Sequence, residues 1–288
     1  MALQKEIVDH FIVRKTSTVT GLVTEHEENC YDSKACYENA KHFANQQENY
    51  SFINSELGNF FFYFYDKLDK IEIKEQYKTR FIYLSSFIDY SNRLDDNSKF
   101  MTRSEIKFRL GLSDKETYNT IVELVNFGLI IKQEDSTYIT NENYVIKGKI
   151  TNSKDSYTKV FIDSVRSLYK GTKPANHKQL YYFFKLLPYI NRQHNVITRD
   201  VDEDEMCNIC PLKPMDICGI LGVDRTQHKR ILKMLYSFTI GCEYVISNHR
   251  VNDCEVFAIN PRLYYKGDNI DKLSFLIGIF DIAKRCTH

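Results

Sequence analysis

The sequence predicts an α+β, mainly α-helical chain with two tandem winged-helix domains, each a helix-turn-helix followed by a β-hairpin. Three observations predict it. Three blocks recur in one order: residues 77–90 lie on 177–190, 110–124 on 221–235, and 141–148 on 260–267, the offset growing from about 100 to 111 to 119. The shared order of the blocks points to an internal duplication whose second copy carries two insertions. In the middle block a Leu-Gly pair (Leu110-Gly111, Leu221-Gly222) separates two helical patterns, and glycine there closes a helix in the left-handed conformation. Two β-rich runs joined by polar residues precede the last block in each copy.

Each element has its local reason. Residues 1–57 are polar with a β-prone stretch at 7–23, and read as an arm or small appended unit. The first domain, 58–150, opens with a strand-like leader at 58–70. Phe81, Leu84, Phe87 and Ile88 then repeat at helical spacing up to about Tyr90. A short helix begins around Thr102 and stops at Gly111. Ser113 and Glu116 form a capping box that starts a third helix, which ends at Phe127. Runs 129–133 and 137–140 flank the polar turn Glu134-Asp135-Ser136. The second domain, 151–268, repeats this order. Tyr181, Phe184, Leu187 and Pro188 carry its first helix to about Ile190, and the second helix runs from near Pro214 to Gly222. Asp224 with Gln227 starts the third, which ends at Phe238. Runs 244–247 and 256–260 flank a turn at 248–253. Segment 269–288 reads as a terminal amphipathic helix, with Ile270, Leu273, Leu276, Ile277 and Phe280 on one side.

A helix that enters the major groove keeps one apolar side and presents polar and basic residues on the other. In the second domain Ile231, Leu232, Leu235 and Phe238 share a side, with His228 turned towards it. Thr226, Lys229, Arg230, Lys233 and Ser237 lie opposite, with Arg225 on the flank and no acidic residue from Arg225 to Cys242. Lysine and arginine there suit phosphates, and Arg225 or Arg230 suits guanine edges. In the first domain the outward residues are Lys115, Tyr118, Asn119 and Val122, with Glu116 and Glu123 nearby. Fewer cations make it the weaker DNA reader or a dimerisation aid. His249 and Arg250 fall in the second hairpin's turn, placed to touch backbone or minor groove.

The order of leader, helix, helix–Leu-Gly–helix, hairpin and closing motif resembles the RepL-type winged-helix replication initiators of Gram-positive plasmids and phages. The leaders are residues 58–70 and 155–165. The closing motif is Ile259-Asn-Pro-Arg-Leu-Tyr-Tyr-Lys-Gly267, with a degenerate version at 140–148. Such proteins look single-copy where this chain has tandem copies, and its second copy has an insertion before the helix-turn-helix. The resemblance implies sequence-specific double-stranded DNA binding at an origin or operator, in replication initiation or transcriptional control.

Composition bounds the alternatives. A net charge of +1 excludes a nucleic-acid coat or polybasic membrane protein but not a basic face. The longest apolar candidate, 275–282, is interrupted by Asp281 and falls short of a span, so no membrane partner is expected. Eight scattered cysteines suggest a reducing cytoplasm. Cys207-x-x-Cys210 has the spacing of half a zinc site, with Cys218 as a third ligand. The chain offers no second CxxC or HxxxH to close it, so no metal or other cofactor is expected. The acidic run 202–205 reads as a solvated loop or a contact for a basic partner. No phosphate-binding or nucleophile motif is present, so the expected protein is not an enzyme. Partners are then duplex DNA, a second copy in a homodimer, and the replication or transcription machinery. Near-neutral charge, the acidic insertion and the poorly basic first copy favour a second reading, a phage or viral adaptor that uses winged helices to bind a host protein.

Overall fold

The computed structural model describes residues 9–16, 23–30, 51–96, 98–148, 150, 156–251, 254–267 and 269–285. Cys36 and the hairpin residues 252–253 lie outside these, as do 7, 8 and 17–22 of the β-prone stretch. The protein is mixed α+β with small antiparallel sheets, in two compact units, Met1–Phe52 and Ile53–His288. In the first, antiparallel strands β1 (Asp9–Thr16) and β2 (Val23–Cys30) pair from Asp9 opposite Cys30 to Thr16 opposite Val23.

The second unit takes in most of a helix at residues 51–57 (α1) and a central strand, β3 (Phe60–Tyr63). Its first half continues through α2 (Tyr65–Asp69), α3 (Glu75–Ser85), α4 (Arg103–Leu110) and α5 (Asp114–Asn126). The hairpin of β4 (Ile130–Lys132) and β5 (Tyr138–Thr140) and the short β6 (Val145–Ile146) complete it. The second half runs through β7 (Thr158–Phe161), α6 (Ile162–Gly171), α7 (His177–Leu186), α8 (Pro214–Leu221) and α9 (His228–Tyr236). Two hairpins follow, β8 (Thr239–Ile240) with β9 (Glu243–Tyr244) and β10 (Ile246–Val251) with β11 (Cys254–Ile259), and α10 (Ile270–Arg285) ends the chain's described part.

The two halves join at their leaders and first helices. β3 lies between β6 and β7, antiparallel to both, with Phe60 opposite Phe161 and Tyr63 opposite Thr158. Helix α3 packs on α7, and one apolar core runs through both halves, from Phe61, Phe81 and Leu84 to Tyr181, Phe184 and Leu187. Every residue from Tyr77 to Ser85 is buried, including Lys78, Thr79 and Arg80. A helix buried all round serves two neighbours rather than one.

The same hydrogen bonds recur in each half. Asn92 and Asn195 both sit at left-handed φ (57° and 52°). The carbonyl of Asn92 accepts from Thr140 N (2.8 Å), as that of Asn195 accepts from Ile259 N (2.9 Å). Their side-chain amides donate to the carbonyls of Val145 and Tyr264. Just beyond, Leu94 N donates to Tyr138 O and Ile197 N to Phe257 O, adding an extended segment to each hairpin. Asn141 and Asn260 close the pattern: their backbone amides donate to Leu129 O and Val245 O, and their side chains brace Gly128 O and Tyr244 O.

The boundaries differ from expectation for physical reasons. The first helices stop at Ser85 and Leu186, before Tyr90 and Ile190, because the chain must turn into those extended segments; Pro188 sits in a 3₁₀ turn at Leu187–Tyr189. α9 stops at Tyr236 rather than Phe238, which instead drops its ring into the core.

Candidate nucleic-acid interface

The basic surface is built from the α8–turn–α9 segment. α8 starts with Pro214, whose missing N–H costs nothing in a first turn, and Asp216 accepts from the amide of Lys213. It ends at Gly222, φ 69° and ψ 31°, matching Gly111 after α4 at 64° and 31°. The carboxylate of Asp224 accepts from the amide (2.8 Å) and hydroxyl (2.6 Å) of Thr226, which hold it below the usual carboxylate range. That bond sets a 3₁₀ turn at Arg225–Gln227, so α9 begins only at His228. Thr226, expected on the outward face of the third helix, therefore sits in the turn before it with its hydroxyl engaged.

α9 is strongly two-sided. Ile231 and Leu235 are buried, as is Phe238 beyond its end, and Leu232 is half-buried; Arg225, Lys229, Arg230, Lys233 and Ser237 are exposed. Among the described residues no carboxylate pairs with Arg225, Lys229, Arg230 or Lys233, and Arg230 meets only the side-chain oxygen of Gln227 at 3.5 Å. Unneutralised cations on one face are what a polyanion requires. His228 is half-buried, its Nδ1 3.0 Å from the carbonyl of Arg225.

The first half departs from the expected face. Lys115 and Tyr118 are exposed and Asn119 is half-buried. Ser113 Oγ accepts from the amide of Glu116 (3.3 Å), but the reciprocal half of the expected capping box is replaced. The Glu116 carboxylate instead accepts from Arg80 Nη1 at 2.8 Å. It is thus turned inward rather than flanking the outer face. A cation that spacing had not singled out, Arg103 in the first turn of α4, lies 5.3 Å from the ring centre of Tyr118. The complete capping box is one helix earlier, Thr102 with Glu105.

His249 and Arg250 are not in the hairpin's turn. β10 continues to Val251, so they sit within the strand opposite Val256 and Glu255, and His249 Nε2 is 2.8 Å from Ser247 Oγ. Alternation along a longer strand decides their direction, where a six-residue turn had been expected.

Cys207 and Cys210 are exposed, whereas Cys218 is buried in the core, where burial and then Asp224 raise its thiol pKa. Among the described residues no group of three or more His, Cys, Asp or Glu is placed to hold a metal. The backbone beside and within the acidic run is tied to its own domain, while the side chains of Asp202, Asp204 and Glu205 are exposed, as expected of a solvated loop. Asn191 donates to the carbonyls of Asp200 and Glu203, and Arg192 lies 3.5 Å from Asp204.

No family model, curated protein or solved structure matches this chain. Among the described residues no helix is long and apolar enough to cross a membrane.

Proposed function

We propose that the two halves of the second unit are winged helices and that the chain is a sequence-specific, non-enzymatic double-stranded DNA-binding protein of plasmid or phage type, acting in the cytoplasm in replication initiation or transcriptional control. The observation that carries the reading is the exposed stripe Arg225, Lys229, Arg230 and Lys233 beside a left-handed glycine turn. In this reading α9 enters the major groove, Lys229, Arg230 and Lys233 contact phosphates, and Arg225 or Arg230 also suits a guanine edge. Lys115, Tyr118 and Asn119 make a second, weaker contact. A homodimer on a palindromic site suits such a module. The resemblance to RepL-type initiators supports the same class.

The test is fluorescence anisotropy of the full chain with random-sequence duplex over a salt series. Replacing Lys229 and Arg230 by Ala is expected to weaken binding and reduce the log–log salt slope by about 2, roughly one for each phosphate left unneutralised. An unchanged slope overturns the assignment of α9.

One observation favours the adaptor reading. Phe108, 78% exposed on α4, and Tyr118, 54% exposed on α5, are large aromatic side chains left open on the helix–turn–helix of the first half. Flat anisotropy at low salt would favour that function.

A further inference from the structure

Helix α10 does not close fully onto the sheet beside it. Between them lies a cleft of about 760 Å³, within the range of small-molecule sites. Its floor is Val196, Val256 and Ala258; Val196 and Val256 form, with Ile209, a small apolar cluster separate from the main core. Its wall is the α10 face Phe275, Leu276, Ile279 and Phe280, of which Phe280 is buried and Phe275 is 70% exposed.

The polar groups lie at the rim and are mainly basic. Among the described residues Lys272, Arg250, His194 and His249 line it against one carboxylate, Asp271. Among the described residues the ammonium of Lys272 meets neutral acceptors, the carbonyl of Asp204 at 3.1 Å and His194 Nε2 at 3.3 Å. A largely apolar trough with a cation at its edge is complementary to a molecule with an apolar body and an anionic head.

We infer that this cleft binds a long-chain carboxylate, its alkyl chain between α10 and Val196, Val256 and Ala258 and its head at Lys272. The cleft is distinct from the α9 stripe, because Lys229 and Arg230 do not line it, although His249 and Arg250 do.

A dansyl-labelled undecanoate, excited at wavelengths where protein side chains do not absorb, follows binding directly. The full chain is expected to bind the probe saturably, and dodecanoate to displace it. Lys272→Ala should weaken dodecanoate about tenfold and leave displacement by uncharged dodecanol unchanged. Phe275→Ala, at an exposed position that spares the fold, should weaken both. The Lys229→Ala/Arg230→Ala protein should bind the probe as the parent does. Absence of saturable binding overturns the inference, as does an equal loss for dodecanoate and dodecanol in Lys272→Ala. Capture by phosphatidylglycerol vesicles without binding of the free carboxylate would overturn it in favour of a membrane contact. A dimer in sedimentation equilibrium that Phe275→Glu dissociates would overturn it in favour of a second copy as the occupant.

Discussion

Arg80 shows how much one side chain decides here. Its guanidinium is 2% exposed and donates to Glu116 Oε1 and Thr120 Oγ1, both at 2.8 Å, while Nε points at His177 Nδ1, 3.5 Å away. Glu116 is about one-third exposed, so the two partners are not equivalent. Removing the carboxylate strands a buried cation; removing the cation with it leaves only neutral acceptors, Thr120 Oγ1 and His177 Nδ1, without their donor. Glu116→Ala is expected to cost about 3 kcal/mol in urea unfolding, and Arg80→Met in the same background to recover much of it. His177 lies 4.3 Å from the ring of Tyr169, which stacks on Tyr83 at 3.8 Å. Burial, then Arg80, pushes its pKa down to about 4. An unfolded histidine takes up its proton near pH 6.5. The stability due to neutral His177 is therefore fully present above pH 6.5, falls as pH drops towards 4, and is flat below. The loss is on the order of 3 kcal/mol, and His177→Asn should remove that slope from the pH dependence of the unfolding midpoint.

At the scale of the element, the turns carry most of the information. Leu110-Gly111 and Leu221-Gly222 were legible in the sequence because a left-handed helix stop selects glycine. Asn92 and Asn195 do the equivalent work between the first helix and the extended segment, and they escape sequence reading. They lie between aligned blocks, where the offset is shifting, and asparagine in a polar stretch is also an ordinary loop residue. Asn195 is fully buried at φ 52° and donates to the carbonyls of Ile259 (3.2 Å) and Tyr264 (2.6 Å). Asn195→Ala should cost about 3 kcal/mol, from left-handed strain plus two buried hydrogen bonds, and Asn195→Gly should recover only the strain. Circular dichroism melts of the two variants separate the contributions. The third helices were placed to within a turn, since their apolar spacing is strong. The direction of His249 and Arg250 was not, because strand length was set by pairing with β11 rather than by the local sequence.

For the whole molecule, the continuous core makes the halves of the second unit interdependent. α3 is buried on all sides, and Thr79 Oγ1 donates to the carbonyl of His177 (2.7 Å) in the opposite half. Residues 53–288 should therefore unfold in one calorimetric transition whose measured and van't Hoff enthalpies agree; two resolved transitions would show that α3 and α7 part before either half melts.

The sequence by itself determined the helix–turn–helix–hairpin order within each half, the glycine stops and the two-sided face of α9. Each follows from local spacing: an apolar side chain every three or four residues and a backbone conformation that few residues adopt. It did not show that the strand-like leaders turn into helices α2 and α6 after four paired residues, nor that the hairpin β8–β9 precedes β10. Only the tertiary structure decided that Glu116 turns inward to Arg80, that Cys218 is parted from solvent while Cys207 and Cys210 meet it, and that α10 leaves a cleft over Val196 and Val256. Those outcomes depend on residues far apart in the chain being brought together by packing, and a one-dimensional pattern carries no record of which charge meets which partner.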